Sequence, residues 1–167
     1  MNHFLDQLRK CKARDDRGIM ANLRCILVEN KKHRAWPALN RLGVPIDDKD
    51  TAFIAGLFAT HPEETFKGNF GTTCKAIEQV KDLNRGDDSK LTPTERRFQH
   101  LLAAERGEEL YSRVLRMVLM AKSANIQIPV NYERLKTDLK YWNDRTRTEW
   151  AAAFWTQGAS SAPEEDI

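Results

Sequence analysis

The stretch EELYSRVLRMVLMAKSA, residues 108–124, is the clearest guide to the architecture of the chain. Its apolar residues recur at the spacing of successive helical turns; they are Leu110, Val114, Leu115, Val118 and Ala121. Further apolar residues occupy most of the remaining circumference, and a helix of this composition is buried by its neighbours. The stretch therefore predicts a central helix around which other helices pack.

The segment before this stretch begins with a strong helix start signal. In LTPTERRFQHLLAAE, residues 91–105, Thr92 takes the N-cap position, Pro93 the first helical position and Glu95 the third. Threonine followed three residues later by glutamate is typical of a capping box, and proline is compatible with the first helical turn. We therefore predict a helix that starts at Pro93.

Two segments after the central stretch are also predicted to be helical. Residues 128–142 offer Asn131 as a cap, and residues 145–155 follow closely. Their aromatic residues fall on the apolar periods, so we predict that these rings lie in the core; they are Tyr132, Trp142, Trp150 and Phe154. No platform of exposed rings for stacking bases is predicted from these residues.

The first half of the chain contains shorter helical segments. Asp16 is placed to cap one helix, and Pro37 fits the first turn of another. In that second helix we predict that Trp36, Leu39 and Leu42 anchor the segment to the core. Further helices are predicted within residues 51–62 and 67–83.

These segments together predict an all-α protein of eight or nine short helices in two packed helical bundles. The best linker is NRGDDSK, residues 84–90, which is polar and contains glycine but no large apolar residue. We therefore predict an N-terminal helical lobe of residues 1–86 and a C-terminal helical bundle of residues 87–158. The small, polar and acidic tail of residues 159–167 is expected to be disordered.

Composition excludes several classes of protein. There is no apolar run near 18 residues, so no membrane span is expected, and the N-terminus lacks the apolar region of a secretory signal. A cytoplasmic protein is therefore expected. Three cysteines, Cys11, Cys25 and Cys74, are widely spaced and form no CxxC pair, which favours plain reduced thiols over a zinc site or disulfides.

The net charge of +3 hides an uneven distribution along the chain. Residues 9–41 carry a net charge of +7 and residues 113–147 carry +5, whereas residues 42–112 between them carry −4. A polyanion responds to the local field rather than to the net charge of the whole chain. Two basic blocks separated by an acidic block therefore favour a nucleic acid as partner.

The residue types that carry enzymatic chemistry form no catalytic pattern. Adjacent acids such as Asp47 and Asp48 precede helices, where carboxylates cap free N–H groups and complement the helix dipole. The segment GNFGTTCK, residues 68–75, lacks the GK[ST] ending of a phosphate-binding loop, although its amides remain candidates for contact with a phosphate backbone. We expect a protein that is not an enzyme, with no catalytic residue, no metal site and no cofactor.

Cations on the polar sides of the predicted helices are the most informative residues. Arginine favours bidentate contacts with phosphate, and the excess charge within each basic block has one sign. The candidate nucleic-acid-binding residues read from this pattern are Arg17, Arg24, Lys31, Lys32, Arg34, Arg116, Lys140, Arg145 and Arg147. A solvated surface with scattered ion pairs stays open as an alternative. Contacts with backbone phosphates predict binding that is sensitive to salt and tolerant of sequence.

Several segments resemble the CasB family, the small subunit of the type I-E CRISPR effector complex, Cascade. The clearest are ERRFQHLLAAERGEELYSRVLRMV, residues 95–118, and YERLKTDLKYWNDRTRTEWAAAFW, residues 132–155. The first half adds RGIMANLRC, residues 17–25, and AWPALNRLG, residues 35–43. No single motif is diagnostic, but their order and spacing together are specific, and the resemblance covers roughly residues 15–157.

The resemblance implies a non-enzymatic helical protein of two lobes, present in two copies within the complex. It implies contacts with target DNA, particularly the displaced non-target strand, with crRNA and with the crRNA-binding backbone subunits. Arg24 matches the family's Leu-Arg-Arg motif, in which Cys25 stands at the second arginine position. Arg145 and Arg147 match basic positions after the family's tryptophan. The Glu-Arg-Arg-Phe segment adds Arg96 and Arg97 to the candidate residues.

The predicted function is therefore that of a structural subunit which stabilises bound DNA and crRNA through basic surface residues. In RNA-guided complexes base pairing reads the sequence, while protein holds the displaced strand through its backbone. The alternative is a protein–protein adaptor with little nucleic-acid affinity of its own.

Overall fold

The computed structural model describes residues 3–82 and 90–156, and these ranges contain nine α-helices and no sheet. The helices are α1 (His3–Ala13), α2 (Arg17–Arg24), α3 (Trp36–Arg41), α4 (Lys49–Thr60), α5 (Phe70–Lys81), α6 (Pro93–Leu102), α7 (Glu108–Ser123), α8 (Tyr132–Lys140) and α9 (Asp144–Trp155). Two short 3-10 helices, Cys25–Leu27 and Glu29–Ala35, join α2 to α3. The prediction of an all-α fold with eight or nine helices is confirmed.

Side-chain caps define where most of these helices begin. Thr92 Oγ1 accepts a hydrogen bond from the Glu95 backbone N–H at 2.9 Å, and Glu95 Oε1 accepts one from the Thr92 N–H at 2.8 Å. This reciprocal pair is the predicted capping box of α6. Asp16 and Asn131 cap α2 and α8, also as predicted.

The helix buried on all its sides is α4 rather than the predicted α7. Every residue from Asp50 to Ala59 is buried. Small residues such as Gly56 permit this arrangement, because a Cβ at that position would collide with the Ile26 side chain. By contrast, α7 buries one face and leaves Leu119 45% exposed. Periodicity alone does not distinguish a helix covered by neighbours from one with apolar residues at its surface.

Helices from the two predicted lobes pack directly on each other. Helix α5 lies against α9, where the Phe70 and Trp150 ring centroids are 5.3 Å apart, and α4 lies against α8. The Tyr132 hydroxyl at the start of α8 donates to the carbonyl of His61 at 2.6 Å. Apolar side chains of both lobes therefore form one continuous core.

The division into residues 1–86 and 87–158 stays a prediction. Most of the predicted linker, residues 84–90, lies outside the described residues, as does the whole predicted tail, residues 159–167. The predicted aromatic core is confirmed, since Tyr132, Trp150 and Phe154 are fully buried and Trp142 is 8% exposed.

Candidate nucleic-acid interface

Several predicted cations reach solvent without an ion-pair partner among the described residues. Lys31 and Arg34 are exposed on the 3-10 helix before α3, Arg96 is exposed on α6, and Arg116 is exposed on α7. Arg97 on α6 is half-buried and also has no ion pair within residues 3–82 and 90–156. These positive charges remain available to an external anion.

Arg17 and Arg145 make only loose contacts at the surface. Each side chain is 87% exposed, and the distances to Asp15 Oδ2 and Glu149 Oε2 are 3.3 and 3.4 Å. Exposed ion pairs of this kind contribute little to stability because water and salt screen them. Both guanidinium groups can therefore exchange their present partner for a phosphate.

Arg24 and Lys32 are partly committed to the protein. Arg24 Nη1 donates to the Ala59 carbonyl oxygen at 3.1 Å, near the end of α4. Lys32 Nζ lies 3.0 Å from Glu29 Oε1 and 3.9 Å from Glu108 Oε2. Contact with a nucleic acid would compete with these interactions.

Among the predicted cations, Arg147 makes the most extensive contacts within the protein. Its guanidinium donates to the carbonyl oxygens of Leu102 and Ala104 at 2.8 and 3.0 Å, and it pairs with Asp144 at 3.1 Å. It also lies over the Trp142 ring, 5.1 Å from the centroid. Sequence matching cannot distinguish such a residue from a free one, because its partners are backbone atoms of a distant turn.

Lys140 lies in a cleft of about 620 Å³ at the ends of α4, α7 and α8. The lysines that line this cleft are Lys49, Lys136 and Lys140. Sequence reasoning passed over Lys49 because it follows two aspartates in the acidic block. The only sign that Lys49 lies near Lys140 is its position at the start of α4, which packs against α8. Folding therefore brings a cation of the acidic block beside cations of the second basic block.

The cleft contains a buried acid, Asp50, whose carboxylate is paired within the protein. Asp50 is buried, and Arg106 Nη2 donates to its Oδ2 at 2.6 Å, while the Tyr111 hydroxyl donates to its Oδ1. Burial and the neighbouring Asp50 carboxylate raise the pKa of Tyr111, which therefore stays protonated as a donor. Arg106 Nε also donates to the Leu139 carbonyl at 3.3 Å, so the group fastens the α6–α7 turn to α4 and α8.

An apolar groove of about 340 Å³ adjoins the cleft. Its apolar lining comprises Ile26, Leu27, Trp36, Ile46, Ala52, Phe53 and Leu115. Leu39 and Leu42 are buried as predicted, but the prediction that Trp36 anchors its helix is wrong, because this residue is 43% exposed. Trp36 begins α3 and its ring borders the groove instead of entering the core.

The segment 68–75 is occupied by contacts within the protein. Asn69 Oδ1 accepts from the Gly71 and Thr72 N–H groups at 2.8 and 3.3 Å, and Asn69 Nδ2 donates to the Glu149 carbonyl at 3.2 Å. A Cβ at Gly71 would collide with the Trp150 carbonyl. The glycine therefore serves the close approach of α5 and α9, and these amides already have an acceptor.

Side chains that could bind a metal ion do not cluster within residues 3–82 and 90–156. These ranges hold no cluster of three or more His, Cys, Asp or Glu side chains arranged to bind a metal ion. The three cysteines are free, and burial raises the pKa of the Cys74 thiol. No helix in the described part of the chain is long and apolar enough to cross a membrane.

The fold and surface define a small all-α protein that presents arginine and lysine on several helices. The sequence matches the family model of the CRISPR-associated protein Cse2 over residues 7–155. The chain therefore belongs to the Cse2 family, which confirms the resemblance to CasB of type I-E Cascade.

The solved structures that share this fold include the following two. A Cse2-family CRISPR-associated protein from Thermus thermophilus has a TM-score of 0.70 and 19% identity, over 92% of this chain and 96% of that chain. CasB of M. ruber has a TM-score of 0.63 and 22% identity, over 86% of each chain. No curated protein matches the chain.

Proposed function

We propose that this protein is a non-catalytic structural subunit of an RNA-guided CRISPR surveillance complex in the cytoplasm. It stabilises bound target DNA, particularly the displaced non-target strand, and crRNA through basic surface residues, independently of sequence. Its partners are the crRNA-binding backbone subunits and a second copy of itself. Membership of the Cse2 family supports a place in a Cascade complex.

The observation that carries the proposal is the set of cations without an ion-pair partner among the described residues. Among the predicted residues, this set comprises Arg24, Lys31, Arg34, Arg96, Arg97, Arg116 and Lys140. Unpaired positive charges on a surface contribute little to the stability of the fold, whereas each of them attracts a polyanion. Binding through phosphates releases counterions, so it weakens steeply as salt rises.

The test is retention of target DNA by the reconstituted complex. The variant R34Q/R96Q/R116Q removes three positive charges from exposed side chains that make no ion pair within the described ranges. We expect the complex with this variant to assemble normally and to lose the displaced strand at lower salt than the wild-type complex. Unchanged retention across the salt series, with the variant fully folded, would contradict the proposal for these residues.

A matched control is available on the same chain. The variant K10Q/K67Q/K122Q removes the same number of positive charges from exposed lysines that were not predicted to bind nucleic acid. We expect it to retain DNA nearly as well as the wild type. An equal loss in both variants would mean that net charge, rather than particular residues, governs retention.

The apolar groove supports the adaptor as a second candidate function. An exposed tryptophan beside aliphatic side chains is typical of the anchor sites at protein interfaces. An adaptor would bind its partner subunits tightly after nuclease treatment and would bind free DNA weakly. Size-exclusion chromatography of nuclease-treated subunits distinguishes the two candidates.

A further inference from the structure

The C-terminal end of α9 is fastened to the first half of α6. Trp155 Nε1 donates to Glu95 Oε2 at 2.9 Å, and the ring centroids of Trp155 and Phe98 are 5.3 Å apart. Arg96 and Arg97 lie between these two contact positions along α6. The chain that follows α9 therefore starts beside the two arginines of this helix.

The acids at this junction are already engaged within the protein. Glu95 Oε1 accepts from the Thr92 N–H at 2.8 Å, while its other carboxylate oxygen accepts from Trp155. Glu78 Oε2 accepts from the Thr92 hydroxyl at 3.1 Å, and Glu78 Oε1 lies 3.7 Å from Lys75 Nζ. These carboxylates are therefore not the partners of the two arginines on α6.

The sequence after α9 supplies the opposite charge. Arg96 is exposed and Arg97 is half-buried, and neither forms an ion pair within residues 3–82 and 90–156. Residues 157–167, which lie outside the described part of the chain, contain Glu164, Glu165 and Asp166 but no lysine or arginine. An acidic segment thus follows closely on a helix end that is anchored beside unpaired cations.

The connection is long enough for these acids to reach every residue of α6. Glu164 is eight residues beyond Thr156, and a chain of this length extends over at most about 26–29 Å. The ten residues of α6 extend over only about 15 Å. A short tether of this kind holds its two ends at an effective concentration of about a millimolar. Even a weak attraction is therefore populated within one chain.

We propose that the acidic segment of residues 164–166 binds Arg96 and Arg97 of the same chain and competes there with nucleic acid. The competition rests on the proposed function, whereas the contact between the segment and α6 does not. A nucleic acid held by a few phosphate contacts must displace the acidic segment before it binds these arginines. A strand held by many further contacts in the assembled complex loses little. The segment would therefore act against stray nucleic acid.

Tethered carboxylates also change how binding responds to salt. Each phosphate contact with a single strand contributes about 0.7 to the slope of log affinity against log salt. Salt weakens the contact between the acidic segment and α6 at the same time, because both interactions are between opposite charges. The two effects offset each other at Arg96 and Arg97. The wild-type slope should therefore be shallower by up to about 1.4 than the slope of a chain without these acids.

The first experiment tests the contact without nucleic acid. The side-chain N–H resonances of arginine are recorded by NMR for the full chain and for its variant E164Q/E165Q/D166N at low salt. We expect the substitutions to shift the resonances of Arg96 and Arg97, by amounts that do not depend on protein concentration. Unchanged resonances would overturn the proposal. Shifts that depend on protein concentration would assign the contact to a second copy and would also overturn it.

The second experiment tests the competition by fluorescence anisotropy with labelled oligo(dT) of about 16 nucleotides. We expect E164Q/E165Q/D166N to bind up to about sevenfold more tightly than the wild type at about 50 mM salt. The two affinities should converge at about 200 mM, as a slope difference of about 1.4 requires. Equal affinities and slopes would overturn the competition.

A matched control separates the acidic segment from net charge. The variant D47N/E63Q/E105Q removes the same number of negative charges from exposed side chains that form no ion pair within the described ranges. We expect less than about a twofold gain in affinity, because these charges contribute only through the distant field. An equal gain in both variants would overturn the assignment to the acidic segment.

A double-mutant cycle tests whether the segment acts through α6. In the R96Q/R97Q background, neutralising the acidic segment should give no further gain in affinity. In the R34Q/R41Q background the gain should persist, since these exposed arginines lie before and in α3, whereas α6 packs on α5 and α7. A gain of the same size in both backgrounds would overturn the assignment to Arg96 and Arg97.

The outcomes also separate this proposal from the proposed function. If neutralising the acidic segment changes neither the arginine resonances nor the affinity, while R34Q/R96Q/R116Q loses DNA retention, the proposal fails and the proposed function stands. If the resonances shift but no variant alters oligo(dT) binding or DNA retention, the contact stands. The competition and the proposed function then both fail.

Discussion

Arg147 is hydrogen-bonded to Ala104, with Nη2 of the arginine donating to the backbone carbonyl oxygen at 3.0 Å. Trp142 Nε1 donates to the same carbonyl at 3.0 Å, and Arg147 Nε donates to the Leu102 carbonyl at 2.8 Å. The last carbonyls of a helix have no partner within it. Arg147, in the first turn of α9, therefore supplies hydrogen-bond donors to carbonyl groups at the end of α6 and in the turn after it.

Replacing Arg147 with alanine should destabilise the protein by about 1–3 kcal/mol, because it leaves partly buried carbonyls without donors. The melting temperature should fall by several degrees, as measured by circular dichroism. The matched control is R145A, which removes an 87% exposed arginine from the same helix and should change stability by less than about 0.5 kcal/mol. Equal melting temperatures for R147A and the wild type would contradict this role.

Replacing Gly71 with alanine should force α5 away from α9, because the added Cβ collides with the Trp150 backbone carbonyl. The expected cost is about 1–3 kcal/mol in the free energy of unfolding by urea. Gly18 is the matched control, since a Cβ there lies 3.9 Å from its nearest neighbour, Asp16 Oδ1. G18A should be neutral or slightly stabilising. A stable G71A would show that the two helices move apart at little cost.

Replacing Arg106 with glutamine should leave the buried Asp50 carboxylate with only Tyr111 as a strong donor. The arginine itself is half exposed, so we expect a cost of about 1–3 kcal/mol rather than the larger cost of breaking a fully buried pair. Denaturant unfolding measures it, with R41Q as the exposed control that breaks no ion pair within residues 3–82 and 90–156. A cost equal to that of R41Q would mean that water replaces the guanidinium.

Asp138 predicts a specific dependence of stability on pH. Burial, the largest effect, raises the pKa of Asp138 above its ordinary value of 3.8, although Trp150 Nε1 donates to the carboxylate at 2.7 Å and Arg134 Nε at 3.2 Å. The folded state therefore holds the proton more tightly than the unfolded state, so stability contributed by this group rises as pH falls through the folded pKa and levels off below 3.8.

The measurement is urea unfolding of the wild type and D138N over a series of pH values from neutral to acid. Asparagine does not titrate here, so the difference between the two proteins isolates Asp138 from all other groups. The wild type should gain stability relative to D138N as pH falls through that window. A difference that is constant, or that moves in the opposite direction, would contradict the assigned shift.

Local signals in the sequence predicted the helices well. The capping box of Thr92 and Glu95 and the caps at Asp16 and Asn131 depend on residues only three positions apart. The buried aromatics followed from periodicity, because their spacing matches the apolar face of a helix. These features are fixed by neighbours along the chain, so no tertiary information was needed.

Features that depend on distant parts of the chain were not predictable. Trp36 lies on an apolar period, yet it borders a groove because no helix covers it. Arg147 matches a basic motif, but its guanidinium is hydrogen-bonded to two backbone carbonyls at the end of α6 and just after it. Lys49 stands in an acidic block and meets Lys140 only after folding. Which cations remain available to an external anion is therefore decided by packing rather than by charge pattern.

The burial of α4 on all its sides has a consequence for synthesis on the ribosome. Its residues from Asp50 to Ala59 are covered partly by α2 and the following 3-10 helix, which precede α4 in the chain, and partly by α7 and α8, which are translated long afterwards. At about 5–20 residues per second, translation of α8 is completed several seconds after that of α4. The nascent chain therefore carries an apolar segment that is only partly covered until α7 and α8 have been translated.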